Sequence, residues 1–96
     1  MTGFSYDLLE HPYSIQVLLN LRDHFPMQLM DLQKEINVNR STLERRIDEL
    51  SDAGIIKIEV LKNMKRRVTV SLTPFGRDIA NRLAEIERLS RRYIFS

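Results

Sequence analysis

Asn37-Val38-Asn39-Arg40-Ser41-Thr42-Leu43-Glu44-Arg45-Arg46-Ile47-Asp48-Glu49-Leu50-Ser51-Asp52-Ala53-Gly54 is the stretch that decides how this chain is read. Leu43, Ile47 and Leu50 recur at i, i+4 and i+7, the spacing that puts apolar side chains on one stripe of a helix. The stripe predicts a helix from Arg40 to about Ala53. Asn39 is a good N-cap for it, and Ser41 with Glu44 also matches a capping box that would start the helix two residues later. Gly54 stands where a helix C-terminus favours a left-handed residue. On the other side, Asn37 is among the few non-glycine residues that tolerate that conformation, so Asn37-Val38-Asn39 reads as a tight break after an earlier helix.

Working toward the N-terminus, a short helix is expected near Asp31 to Ile36, with Asp31 set against its N-terminal dipole. Pro26-Met27-Gln28-Leu29 before it suits a short extended segment. A first helix is expected from about Pro12 to His24, where Ile15, Leu18, Leu19 and Arg22 recur at helical spacing and Pro12 fits the first turn. Toward the C-terminus the period changes from helix to strand. Ile56, Ile58 and Val60 alternate with Lys57, Glu59 and Leu61, and Val68, Val70 and Leu72 with Arg67, Thr69 and Ser71. These are two strands of one hairpin, joined by the basic link Lys62-Asn63-Met64-Lys65-Arg66. Thr73-Pro74 then caps a last helix from Pro74 to about Tyr93, roughly 30 Å long at 1.5 Å per residue. Ile79, Leu83, Ile86, Leu89 and Tyr93 lie along one broad face of it. Asp78 with Arg82 and Glu87 with Arg91 make favourable i, i+4 pairs elsewhere. There is no internal repeat, low-complexity segment or linker.

Composition bounds what such a chain does. Ninety-six residues fit one domain that buries barely enough surface to fold alone, so burial against a partner chain is expected to help. An apolar fraction of 43% and a charged fraction of 29% are those of a globular protein rather than a disordered one. No cysteine is present, which excludes disulfides, thiolate metal sites and cysteine nucleophiles. Residues 1 to 11 carry no export signal and no apolar stretch is long enough to span a bilayer, so a cytoplasmic address is expected. Two histidines without cysteine make no convincing metal site: His11 reads as a helix-start residue and His24 as a helix-end residue. Met27, Met30 and Met64 read as packing or loop residues. Tyr6, Tyr13, Tyr93 and Phe95 read as core or interface residues. Three glycines leave little room for a nucleotide cradle, and no His, Asp and Ser arrangement has a recognisable catalytic spacing. An enzyme is therefore not expected, and no cofactor is implied.

The charge is uneven. Residues 1 to 39 hold two basic and five acidic side chains, a balance of −3, whereas residues 40 to 96 hold thirteen and eight, a balance of +5. A polyanion facing the second half is one source of such asymmetry, and a solvated charged surface is another.

Helix, short strand, helix, tight turn, helix, basic-tipped hairpin, long helix is the order of a winged helix-turn-helix: α+β, mostly α, with a three-helix core, a β-hairpin wing and a long C-terminal helix. The sequence from Pro26 to Ile56 also resembles the core of bacterial and archaeal MarR-like and ArsR-like winged-helix regulators, in which a capping residue, Arg, Ser and Thr precede the recognition helix and Leu, two polar residues, Ala, Gly and two apolar residues end it. Glu10-His11-Pro12 is similar to the opening of the first helix in ArsR-like proteins. Leu72-Thr73-Pro74-Phe75-Gly76-Arg77 is similar to the Leu-Thr-x-x-Gly-Arg segment after the wing in MarR-like and PadR-like proteins. The resemblance spans roughly residues 8 to 92. It departs at Asn37, where glycine is common, and at Met30, where Ser or Thr usually caps the second helix.

The resemblance implies a homodimeric transcriptional regulator of double-stranded DNA, most often a repressor, and physics supplies the contacts. A helix fits the major groove, where its N-terminal and outward residues reach base edges. With Leu43, Ile47 and Leu50 inward, the residues expected outward are Arg40, Ser41, Thr42, Arg45, Arg46 and Glu49. Base contacts are expected from Arg40, Thr42, Arg45 and Arg46, with Asn39 and Ser41 nearer the backbone. Exposed helix arginines otherwise simply pair with neighbours such as Asp48 and Glu49. Lys62, Lys65, Arg66 and Arg67 would set the wing against phosphates or in the minor groove. The dimer interface is expected on Ile79, Leu83, Ile86, Leu89 and Tyr93, and any small-molecule effector, unnamed by the sequence, near that interface. The alternative is a winged-helix module that binds protein without specific DNA binding, since this fold does not fix function. It predicts an exposed apolar groove in place of a basic face.

Overall fold

A computed structural model describes residues 4–24, 26–61 and 67–94. Its elements run α1 (Tyr6–Glu10), α2 (Ser14–Asp23), β1 (Met27–Gln28), α3 (Leu29–Ile36), α4 (Arg40–Asp52), β2 (Ile56–Leu61), β3 (Arg67–Leu72) and α5 (Pro74–Ile94). The three strands form one antiparallel sheet in the order β1-β3-β2. In the hairpin, Ile56 faces Leu72 and Leu61 faces Arg67, and on the other side of β3, Met27 pairs with Val70. This is the winged helix-turn-helix expected from the sequence, with α2, α3 and α4 as its three-helix core.

The N-terminal half differs from expectation around Pro12. The helix expected from Pro12 to His24 is α2, beginning at Ser14, and a further short helix, α1, precedes it across a break at His11-Pro12-Tyr13. Proline crowds the residue before it out of the helical region. His11 accordingly sits at φ −63° and ψ 142°, and Tyr13 takes a left-handed φ of 71° before α2 begins at Ser14. Pro12 thus ends one helix instead of opening the next. The buried stripe of α2 shifts with it: Ser14, Val17, Leu18 and Leu21 are buried and Ile15 is exposed. Arg22, expected on that stripe, bridges to α5 by donating from Nε to Asn81 Oδ1 at 2.8 Å.

The turn between α3 and α4 follows the sequence. Asn37 is left-handed at φ 59° and ψ 56°, and its N–H donates to Gln33 O. Asn39 caps α4, its Oδ1 accepting from Thr42 N at 2.8 Å. The capping-box alternative does not form: the helix already starts at Arg40 on the Asn39 cap, and Glu44 pairs with Arg40 instead. α3 starts at Leu29, two residues earlier than expected, on Gln28, whose side chain makes no capping bond.

Among the described residues, sixteen buried apolar ones make one core, in which Leu18 and Leu21 of α2 and Leu32 of α3 meet Leu43 and Leu50 of α4, Val70 of β3 and Ala80 of α5. α5 joins this core by its first half only. Gly76 and Ala80 are buried, and Ile79 and Leu83 pack on the core as half-buried residues. Ile86, Leu89 and Tyr93 are 61%, 52% and 76% exposed. The stripe read from the sequence as an interface is therefore divided, its first two residues serving the chain's own core.

The start of α5 is fastened to the end of α4. Thr73 N donates to Ile55 O at 3.1 Å, and Thr73 Oγ1 donates to Gly54 O at 2.6 Å while accepting from Gly76 N at 3.0 Å. Gly76 lies so close that a Cβ there would stand 1.9 Å from Ile55 O. Among the described residues, no helix is long and apolar enough to cross a membrane.

Candidate nucleic-acid interface

α4 presents two faces of different chemistry. Leu43, Ile47 and Leu50 point into the core. Arg40, Ser41, Glu44, Arg45 and Asp48 are exposed, and Thr42 is half-buried. Arg45 is the cation on this face with no ion-pair partner among the described residues, which leaves its guanidinium available to an incoming acceptor. Ser41 Oγ donates to Asn39 Oδ1 at 3.0 Å, so both side chains are engaged in the cap, where the helix dipole favours a phosphate.

Arg46 corrects the sequence reading. It is 7% exposed and faces inward. The reason is positional: Arg46 stands three residues after Leu43 and four before Leu50, so it shares their face rather than that of Arg45. Its Nη1 pairs with Glu49 Oε1 at 2.9 Å, while its Nε is buried without a hydrogen-bond partner among the described residues. The Glu49 carboxylate also meets His11 Nδ1, 3.2 Å from Oε2. His11, Glu49 and Arg46 therefore tie the α1–α2 break to the middle of α4, and Glu49 belongs to this tie instead of the outward face. Spacing from Leu43 and Leu50 was the signal available for Arg46; nothing in the sequence pointed to His11 as its distant neighbour.

Glu44 is a further residue of this surface that the residue pattern assigned to capping. Arg40 Nε donates to Glu44 Oε1 at 2.9 Å, with both side chains about half exposed. The C-terminal part of the exposed ridge carries Asp48 and Asp52. Apart from Glu44, which Arg40 pairs with, the exposed side chains of the first half of the helix are cationic or hydroxyl, and Asp48 and Asp52 make the second half acidic. Phosphate repulsion at Asp48 and Asp52 favours entry into a groove by the N-terminal half.

Of the wing residues, Lys62, Lys65 and Arg66 lie outside the described residues. Arg67 opens β3 and is exposed, paired in register with Leu61. Lys57 and Glu59 pair with each other at 3.0 Å on β2. Two open clefts flank α3 and share Lys34, one reaching His24 and Asp31 and the other Met30 and Asn37. Among the described residues, no group of three or more His, Asp or Glu side chains is placed to hold a metal.

A family model described as HxlR-like helix-turn-helix matches residues 8–96. No curated protein matches the sequence. Among solved structures, a possible HxlR family transcriptional factor from Thermoplasma volcanium GSS1 superposes with a TM-score of 0.80 at 20% identity, covering 95% of this chain and 82% of that one. A transcriptional regulator homologue from Pyrococcus horikoshii OT3 gives 0.78 at 19%, covering 92% and 88%. FabT of Streptococcus pneumoniae, in complex with DNA, gives 0.79 at 18%, covering 88% of this chain and 59% of its own. At these identities the likeness is one of fold.

Proposed function

We propose, from the premise that this chain belongs to the HxlR-like helix-turn-helix family of DNA-binding transcription regulators, that it is a repressor acting in the cytoplasm as a homodimer on a near-palindromic duplex site. The observation that carries the reading is the first half of α4: a capped helix whose exposed side chains are Arg40, Ser41, Glu44 and Arg45, the last with no ion-pair partner among the described residues, backed by a buried opposite face. Arg45 and Arg40 are the base or phosphate contacts, Thr42 lies at the edge of the contact, and Asn39 and Ser41 present the helix N-terminus to the backbone. Arg46 is left out of the contact set because it is buried. Lys62, Lys65, Arg66 and Arg67 supply wing contacts to phosphates.

Ile86, Leu89 and Tyr93 on the distal half of α5 form the interface with a second copy, an apolar row that a solitary chain leaves in water. Two such chains would set their α4 helices about 34 Å apart for half-sites one turn apart. Occupying a promoter in this way blocks transcription sterically. The protein-binding alternative has less support, since the surface of α4 is charged rather than an apolar groove.

Fluorescence anisotropy with random duplex DNA across a salt series tests the reading. The expected result is a steep dependence of affinity on salt, flattened by a slope of about two when Lys65→Ala and Arg66→Ala remove two phosphate contacts. Weak, salt-independent binding by the natural chain would overturn it.

A further inference from the structure

We propose that Glu44 determines specificity: its carboxylate accepts a hydrogen bond from the N4 amino group of a cytosine in the major groove while Arg40 beside it binds the neighbouring guanine or its phosphate. The inference rests on the proposed DNA-binding role of α4 and adds to it a residue that is neither cationic nor part of the helix cap.

A carboxylate on a DNA-reading surface is repelled by phosphates and gains nothing from random sequence. Glu44 nonetheless lies on the N-terminal half of α4, five residues from the Asn39 cap, exposed, and one helical turn from Arg40. The 2.9 Å bond from Arg40 Nε holds the two heads side by side on the outer surface. One oxygen, Oε1, is engaged, which leaves Oε2 to accept a further bond. Of the base edges in the major groove, the amino groups of cytosine and adenine are the donors, and the guanidinium beside Glu44 seeks the O6 and N7 acceptors of guanine. Cytosine next to guanine satisfies both heads, whereas adenine sets its N7 acceptor beside the N6 donor and repels a carboxylate that has only acceptors. Over other sequences Glu44 is desolvated without a donor, which costs affinity. The same residue therefore rewards one base and penalises the rest.

Selection of bound duplexes from a random library, sequenced after several rounds, tests this with the full chain, Glu44→Ala and Glu44→Gln. The side chain is on the surface, so both variants are expected to fold like the natural protein, checked by circular dichroism. The natural chain should enrich a C·G pair at one position of each half-site by roughly tenfold over the alternatives. Glu44→Ala should lose that preference and bind random duplex several-fold more tightly. Glu44→Gln should move the preference toward adenine, since an amide can pair with adenine N6 and N7; a merely helix-stabilising Glu44 would produce no such switch. Retention of the natural preference by both variants would overturn the role of Glu44 while leaving DNA binding intact. Failure of the natural chain to enrich any duplex would overturn the reading of α4 and this inference with it.

Discussion

Gly76→Ala is expected to lower the free energy of unfolding by about 3 kcal/mol or more, measured by urea denaturation. The cause is local. A Cβ at position 76 would stand 1.9 Å from Ile55 O, and that carbonyl cannot swing aside because it already accepts from Thr73 N. Relief requires α5 to move away from the α4–β2 junction, which breaks the bonds of Thr73 to Gly54 and Ile55 and loosens Ala80 in the core. Gly54→Ala is the control. Gly54 has φ +75°, and nothing lies within 4 Å of a Cβ there, so only backbone strain of about 1 kcal/mol is expected. Equal, small losses at both positions would show that α5 is not fastened in this way.

Ile86→Asp with Leu89→Asp is expected to leave a folded monomer and to lower affinity for the selected palindromic duplex by a factor of about 100 or more. Both side chains are more than half exposed in the single chain, so the substitutions cost its core little. In a dimer each would bury carboxylates in an apolar seam, four per dimer, and break the association. A monomer gives up the second recognition helix, and with it the advantage of binding the second half-site as an intramolecular step. Analytical ultracentrifugation reads the oligomer and anisotropy reads the affinity. A double variant that stays dimeric would place the interface elsewhere. The same test at Ile79 or Leu83 would be uninformative, since those residues pack on the chain's own core.

Most of the architecture is legible in the sequence because local signals and global packing agree there. Asn37 and Asn39 mark the turn, and the structure uses both as their chemistry suggests. Period-two alternation in 56–61 and 67–72 locates the hairpin, and Thr73-Pro74 the last helix. Agreement ends where two local rules compete. Pro12 suits a first helical turn and equally disfavours helix at His11; the second effect wins, leaving α1 separate. On α2 nearly every other position is apolar, so periodicity alone does not choose between the stripe of Ile15 and that of Val17 and Leu21. Packing against α5 and α3 makes that choice.

The candidate interface shows the same limit. Arg45 and Arg46 are indistinguishable by composition, and their spacing from Leu43 and Leu50 separates them, one to solvent and one to Glu49. His11 is thirty-eight positions from Glu49 and acquires its place only through the tertiary fold. Glu44 satisfies a capping pattern, yet the stronger Asn39 cap frees it to meet Arg40.

The neighbouring arginines provide the most direct test that the exposed first half of α4 reads DNA. Anisotropy titrations of one duplex compare the natural chain with Arg45→Ala and with Arg46→Met, which keeps most of the buried volume, all at a temperature where each is folded. Arg45→Ala is expected to raise Kd by about tenfold or more, and Arg46→Met to change Kd little while lowering stability. Loss of binding by Arg46→Met with Arg45→Ala unaffected would show that the exposed half of α4 is not the DNA-reading surface.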